Sequence, residues 1–208
     1  MKMKIKKELK AFKQFKENFK FEMKEIVEKD NSLYCDGVLL KDENENYCGD
    51  SEKWINVGYK FHGSYAQMLS NLFPYKIKFR GKKLSSLECF FQGIKFKDKK
   101  TQNYIFTYFG IQAVHIKTAT NYDWKETGII YWQGKAIDRF SKEYNNLIDE
   151  LYICAIQNPL YRGVLLNCEK PIIHAIGEIE KVTTTFTRYE FEFELNCLKA
   201  FLQSKTIK

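Results

Sequence analysis

The chain predicts an α+β fold, predominantly helical: one domain with a small sheet, carrying an N-terminal helical extension. Residues 3–28, 85–96, 142–157 and 187–202 repeat apolar side chains at spacings of three and four, the pattern of helices with a buried face. Residues 54–61 and 75–79 alternate apolar and polar side chains, as half-buried strands do. A length of 208 residues suits one large domain, or one domain plus an extension, and is enough to bury a sizeable core.

In residues 3–28, Ile5, Leu9, Phe12, Phe19, Met23, Ile26 and Val27 form the apolar stripe and lysines fill the rest. The helix is expected to stop at the turn-forming run EKDNS, residues 28–32. A short apolar run (33–40) and an acidic loop (41–53) follow, so residues 1–53 form the extension and 54–208 the main domain. Within that domain, 54–61 is a strand, 63–73 mixed loop and turn, and 75–79 (YKIKF) a strand leading through RGK into Leu84. The helix of 85–96 comes next, then an aromatic-rich helical segment at 101–109. Residues 113–123 have no clear pattern. Residues 129–132 lead into a polar loop at 133–141. Residues 142–157 form a helix ended by Asn158-Pro159, 160–166 a short helix, and 171–176 a short buried segment. Thr187 opens the last helix, with Glu190 completing a capping box.

The net charge is +8, and it is unevenly placed. Residues 1–29 hold 10 Lys against 5 Glu, so the rest of the chain is close to balanced. Such a basic helix suits a DNA or RNA partner, or is a solvated amphipathic helix packed on the domain. The six cysteines form no C-x-x-C pair and no zinc-ligand spacing with the three histidines. They read as free thiols in a reducing, cytoplasmic setting, with no metal and no cofactor. No apolar run approaches the length of a membrane span, and the basic start lacks the apolar core of a secretory signal.

The chemistry concentrates in SSLECFFQGIKF, residues 85–96. At about 100° per residue, Glu88, Gln92 and Lys95 fall within roughly 60° of one another. Leu87, Cys89, Phe90, Phe91, Ile94 and Phe96 take the remaining circumference. A helix apolar nearly all round is buried, so its polar stripe must face a partner network, a water channel or a ligand pocket. Two readings of Glu88 stay open. Ser85-x-x-Glu88 is a capping-box pattern. Alternatively, a carboxyl among rings is partly desolvated, which raises its pKa and suits acid/base work. Lys95 would oppose that rise and could hold a phosphate.

Other candidates carry bland readings beside functional ones. Ser70-Asn71 precedes Leu72-Phe73-Pro74, a turn in which Asn71 is an Asx residue or a ligand contact. Trp132 precedes Gln133-Gly134-Lys135, where Gly134 marks a turn and a lone Gly-Lys is no phosphate loop. Arg139 and Lys142 face phosphate or water. His174, in PIIHAIG, is a satisfied buried histidine or a site residue. G-x-S-x-G, H-E-x-x-H and G-x-G-x-x-G are absent, and no histidine is tied to Cys89 by local sequence.

Taken in order, these segments resemble the NADAR family, also called YbiA-like. Its S-N-F…G…S-x-E-x-x-F-Q-x-x-K pattern is matched by Ser70, Asn71, Gly81, Ser86, Glu88, Phe91, Gln92 and Lys95. YWQGKAIDRFSKEY (131–144) resembles the W-x-G-K…R-x-S-K-E-Y block of one branch. LYRGVLLNCEKPIIHAIG (160–177) and FTRYEFEFELNCL (186–198) resemble two later blocks. The resemblance covers residues 59–202. Leu72, Cys89 and Glu178 depart from it, which bears on substrate choice.

The resemblance implies a single NADAR/YbiA-like domain and metal-free hydrolysis of N-glycosidic bonds, with Glu88 catalytic. The substrate would be a nucleotide or ADP-ribose conjugate, such as ADP-ribosylated guanine in nucleic acid. The alternatives are a ribosylaminopyrimidine phosphate, or an ADP-ribose-binding module without turnover. Lys95, Lys135 and Arg139 would meet phosphate, Trp132 and Phe91 a base or ribose, and Asn71 and Gln92 the ribose hydroxyls. Ser70, Gly134 and His174 complete the expected substrate-binding set. Asp138 and Glu143 are candidates for a second acid.

Overall fold

The computed structural model describes residues 2–41, 47–61, 63–115 and 123–206. Its elements, in chain order, begin with α1 (Lys2–Asn18), β1 (Ile26–Lys29), β2 (Ser32–Cys35), β3 (Val38–Leu39), β4 (Ile55–Asn56) and α2 (Ser64–Met68). The middle of the chain supplies β5 (Ile77–Phe79), β6 (Lys82–Leu84), α3 (Leu87–Gly93), α4 (Lys99–Ile105), α5 (Gly110–Val114) and α6 (Trp124–Thr127). Then come β7 (Ile129–Trp132), β8 (Lys135–Asp138), α7 (Lys142–Ala155), α8 (Pro159–Asn167), β9 (Ile172–Ile173) and α9 (Arg188–Ser204). The fold is α+β and mainly helical, as the periodicities predict.

The small sheet is divided. Among the described residues the strands form one three-stranded meander, β1-β2-β3, and three two-stranded ladders, β4-β9, β5-β6 and β7-β8. The first pair of the meander, β5-β6 and β7-β8 are antiparallel hairpins closed by two residues with positive φ: Asp30-Asn31, Arg80-Gly81 and Gln133-Gly134. Turns with that backbone match the right-handed twist of the strands they join. The β4-β9 ladder is parallel and ties the start of the main domain to the segment before α9.

Four sequence expectations change. The helix expected over 3–28 ends at Asn18. Phe19 and Phe21 leave the helical path and pack on Phe193 of α9, at 5.8 and 6.2 Å between ring centroids. Residues 26–29 then pair with 32–35. Of the strand expected over 54–61, only 55–56 lies in a ladder. The chain turns at Gly58, where the Phe61 ring lies against the Cα and a Cβ would meet it at 2.5 Å. The loop of 133–141 contains β8, and the loop of 63–73 contains α2. Part of the acidic loop (42–46) and most of the patternless stretch (116–122) lie outside the described residues.

The core is built around α7 and α9. Their helices start as the sequence indicates: the Ser141 hydroxyl accepts from the Tyr144 N–H, and Thr187 and Glu190 form a reciprocal capping box. The first helix docks across both. Phe12 is fully buried and meets the Phe201 ring edge-on at 5.3 Å. Lys16 reaches between Asp149 of α7 and Glu194 of α9 and bonds both. A second, smaller core of Cys35, Leu40, Trp54, Ile173 and Ala175 joins the meander to the β4-β9 ladder.

The depth of Phe12 makes the docking of α1 testable. Phe12→Ala should lower the unfolding free energy by about 3–5 kcal/mol, as buried Phe truncations do. Met3→Ala on the exposed face should change it by less than about 0.5 kcal/mol. Urea unfolding of the two variants measures the contrast, and a near-neutral Phe12→Ala would mean that α1 does not share the core's cooperative unfolding.

Candidate functional site

The site is assembled at the first turn of α3. Ser86, in extended conformation, is its N-cap, and its Oγ accepts from the N–H of Cys89 at 3.3 Å and of Gly110 at 3.1 Å. The Glu88 N–H is satisfied from outside the helix, by the Asn71 carbonyl at 2.8 Å. Ser85 is not a cap: its hydroxyl donates to the Thr107 carbonyl at 3.0 Å. The capping role open to Glu88 in the sequence is therefore unused, and its carboxyl is turned elsewhere.

It is turned along the polar stripe. Gln92 Nε2 donates to Glu88 Oε1 at 2.6 Å, and Lys95 Nζ donates to Gln92 Oε1 at 2.8 Å. The second bond sets the amide's orientation, because an ammonium only donates and must meet the oxygen. No hydrogen bond to Glu88 Oε2 occurs among the described residues. The stripe forms the floor of a cavity of about 480 Å³ that is also lined by Asn71, Phe91, His174 and the chain around Thr184–Phe186.

The walls are fixed by longer-range contacts. The Tyr152 hydroxyl of α7 donates to Asn71 Oδ1 at 3.0 Å, which leaves the Asn71 amide NH₂ as the side chain's donor. Phe91 and Phe186 stack at 5.0 Å with their planes 17° apart. His174 Nδ1 lies 2.8 Å from the Val57 carbonyl. A carbonyl only accepts, so Nδ1 carries the proton and Nε2 is the ring's acceptor in the neutral form. Burial lowers the His174 pKa, the Val57 carbonyl partly restores it and Arg188 lowers it further, so the ring is held neutral.

The two charged groups of the stripe are pushed towards their neutral forms. Burial raises the Glu88 pKa, against the Gln92 hydrogen bond and the Lys95 charge. Burial lowers the Lys95 pKa, Glu88 opposes this, and Lys125 adds to the lowering. The Lys95 ammonium lies 5.5 Å from the centroid of the Trp124 ring, a cation–π contact that partly replaces lost water.

Of the expected site residues, the structure brings together Glu88, Asn71, Phe91, Gln92, Lys95 and His174. Ser70 is buried beside them and shapes the turn that presents Asn71: its Oγ accepts from the Leu72 N–H at 3.2 Å. The remaining four do not line the cavity. Trp132 packs in the core against Phe79, Phe90 and Phe106. Gly134 is the second residue of the β7-β8 turn, with φ of 84°. Lys135 is exposed and pairs with Glu143. Arg139 is buried, binds both oxygens of Glu190 and lies 4.3 Å from the Tyr144 ring centroid. Neither candidate second acid lines the cavity. Glu143 is taken by Lys135, and Asp138 accepts from the Phe140 N–H at 2.7 Å. Sequence reasoning missed Tyr152, Thr185 and Phe186, which no local pattern marks. It noted Glu178, another cavity residue, only as a departure from a motif. Among the described residues no group of three or more His, Cys, Asp or Glu side chains is arranged to hold a metal ion.

A family model described as bacteriophage protein GP30.3 matches residues 63–203. The chain belongs to the bacteriophage GP30.3 family. The GP30.3 match begins after the meander and includes every residue of the cavity floor. A relative from Enterobacteria phage T4, described as an uncharacterized 17.1 kDa protein in the Gp30-rIII intergenic region, is 30% identical over 134 residues. That alignment covers 63% of this chain and 88% of the T4 protein. Among solved structures, the NMR structure of YbiA from E. coli is similar at 16% identity with a TM-score of 0.47, over 77% of this chain and 91% of that one.

The shifted Glu88 has a consequence for stability. An unfolded chain titrates this carboxyl near 4.5, and the fold titrates it higher. The fold therefore gains stability from the protonated carboxyl below the unfolded value and loses it as pH rises through the folded value. Glu88→Gln removes that loss. The variant should melt above wild type at pH 8, and the gap should close near pH 4. Thermal unfolding at the two pH values measures it. A variant that melts lower at pH 8 would contradict the desolvated carboxyl.

Proposed function

We propose that the protein hydrolyses an N-glycosidic bond to ribose in a ribose-phosphate or ADP-ribose conjugate, such as ADP-ribosylated guanine in nucleic acid. The observation that carries this reading is Glu88: a carboxyl with a raised pKa at the floor of a cavity, one oxygen held by Gln92 and the other without a hydrogen-bond partner among the described residues. The NADAR-like order of motifs around it supports the same chemistry.

Breaking a C1′–N bond leaves positive charge on the ribose and negative charge on the departing base. A protonated Glu88 can deliver its proton to the leaving nitrogen from Oε2. The carboxylate so formed then faces the cationic sugar and can take a proton from the attacking water. Lys95 stands at the far end of the stripe, seven residues along, where its ammonium suits a phosphate without touching the carboxyl directly. The stacked Phe91 and Phe186 offer an apolar wall, and the Asn71 NH₂ a donor for a ribose hydroxyl or base carbonyl. The six cysteines are free thiols, five of them buried, which suits action in the reducing cytoplasm.

Purified protein is to be incubated with ADP-ribosylated DNA and, separately, with a ribosylaminopyrimidine phosphate, and the released base or sugar measured. Release from the first substrate supports the ADP-ribose reading, and release from the second alone moves the assignment to a riboflavin-type intermediate. Binding of ADP-ribose with no turnover of either would reject hydrolysis. Glu88→Gln should lower kcat by about 10²–10⁴-fold, the usual reach of general acid–base catalysis. Lys95→Met should shift the limb of the pH–rate profile that belongs to Glu88 to higher pH, because Lys95 holds that pKa down.

A further inference from the structure

A second concave surface lies between α1, the β5-β6 hairpin and α7, outside the Glu88 cavity. It encloses about 370 Å³ and is lined by Ile5 and Lys6 of α1, Lys78 and Lys83 of the hairpin, and Glu150 and Cys154 of α7. Lys78 and Lys83 are direct cross-strand partners on the exposed face of the hairpin. Like charges placed opposite one another, about 4.5–5.5 Å apart at Cβ, destabilise a hairpin. Among the described residues, none of Lys6, Lys78, Lys82 and Lys83 has a carboxylate partner. The one acid in the groove, Glu150, is taken by both Nε and Nη2 of Arg80, at 3.1 and 2.7 Å. Lys78 and Lys83 share one face of the hairpin, so an anion bridging them would relieve their mutual repulsion, and Lys6 of α1 adds a third unpaired cation at the same groove.

We propose that this groove binds the phosphate backbone of a nucleic acid strand. Concavity favours a strand over a lipid surface, since a flat bilayer would reach only the rim of a recessed groove. The groove divides the basic character of the N-terminal segment. Lys6 faces the hairpin, whereas Lys16 is spent inside the protein on Asp149 and Glu194. Lys83 precedes Glu88 by five residues. Its Cα therefore lies within about 18 Å of the catalytic carboxyl's Cα. The inference rests on the groove and not on the hydrolase reading.

The test measures binding of fluorescently labelled 20-nucleotide single strands and duplexes to the full chain by anisotropy, between 50 and 300 mM salt. K78E/K83E should weaken binding by at least about tenfold and flatten the slope of log K against log salt by about one or more. K6Q and K78Q/K83Q, which only remove charge, should each weaken it in the same direction and guard against a misfolded reversal variant. K53E/K60E changes net charge equally at exposed lysines outside the groove and should have a much smaller effect. The proposal is overturned if wild type does not bind, if groove variants bind as wild type does, or if K53E/K60E weakens binding as much. Groove variants that lose phosphatidylserine vesicles while keeping oligonucleotides would assign the surface to membranes and overturn it too.

Discussion

The hydrogen bond from the Glu88 N–H to the Asn71 carbonyl organises the candidate site. The first turn of any helix leaves backbone N–H groups without partners, and side chains at that turn are commonly used to satisfy them. Here the Ser86 hydroxyl takes the Cys89 N–H and the Asn71 carbonyl takes that of Glu88. The carboxyl is thereby left with no structural duty at the turn where the helix dipole would favour its charge. The same bond pins the 70–74 turn against α3. Gly110 closes the junction from the other side, since a Cβ there would meet the Leu72 carbonyl oxygen at 2.1 Å. Backbone, cap and close approach fix the place from which the Glu88 carboxyl projects.

The opposite wall depends on α9. Its acidic side chains Glu190, Glu192 and Glu194 are each paired with a cation: Glu190 with Arg139, Glu192 with Arg188, and Glu194 with Lys16, which also bonds Asp149. Arg139 and Lys16 attach other parts of the chain to the helix, while the Arg188–Glu192 pair lies within it. Glu192 also accepts the His174 N–H at 2.7 Å, and Asn196 bonds both the N–H and the carbonyl of Ile172. Buried pairs of this kind add little net stability, but breaking one leaves a bare charge and costs about 3–5 kcal/mol. Their effect is positional. The segment running from His174 to Phe186 has little regular structure, and α9 anchors it at both ends.

What the sequence made legible follows from the range of the interactions involved. The polar stripe, the Thr187 cap and the helices of 142–155 and 188–204 are set by neighbours three to seven residues away, and periodicity finds them. Arg139 was open between phosphate and water because its partner, Glu190, lies 51 residues on. Tyr152 was invisible as a site residue because it acts on Asn71 across 81 residues. Trp132 sits in a motif that suggests a ligand, yet its ring is wedged among three Phe rings that come together only in the fold. The strand β1 was hidden for a different reason. Ile26 and Val27 continue the apolar spacing of α1 by coincidence, and only the positive φ of Asp30 and Asn31 turns the chain back upon itself.

The stripe places an amide between its carboxyl and its amine. A lysine in direct contact with Glu88 would form an ion pair, hold the carboxyl ionised and occupy one of its oxygens. Gln92 separates them by one hydrogen bond on each side. The carboxyl then receives a neutral donor, which restrains its pKa less than an ammonium would, while burial pushes that pKa up. Lys95, itself shifted towards neutrality, fixes the amide by its oxygen and so ensures that NH₂ faces the acid. The amide thus keeps the carboxyl and the amine from forming a direct ion pair.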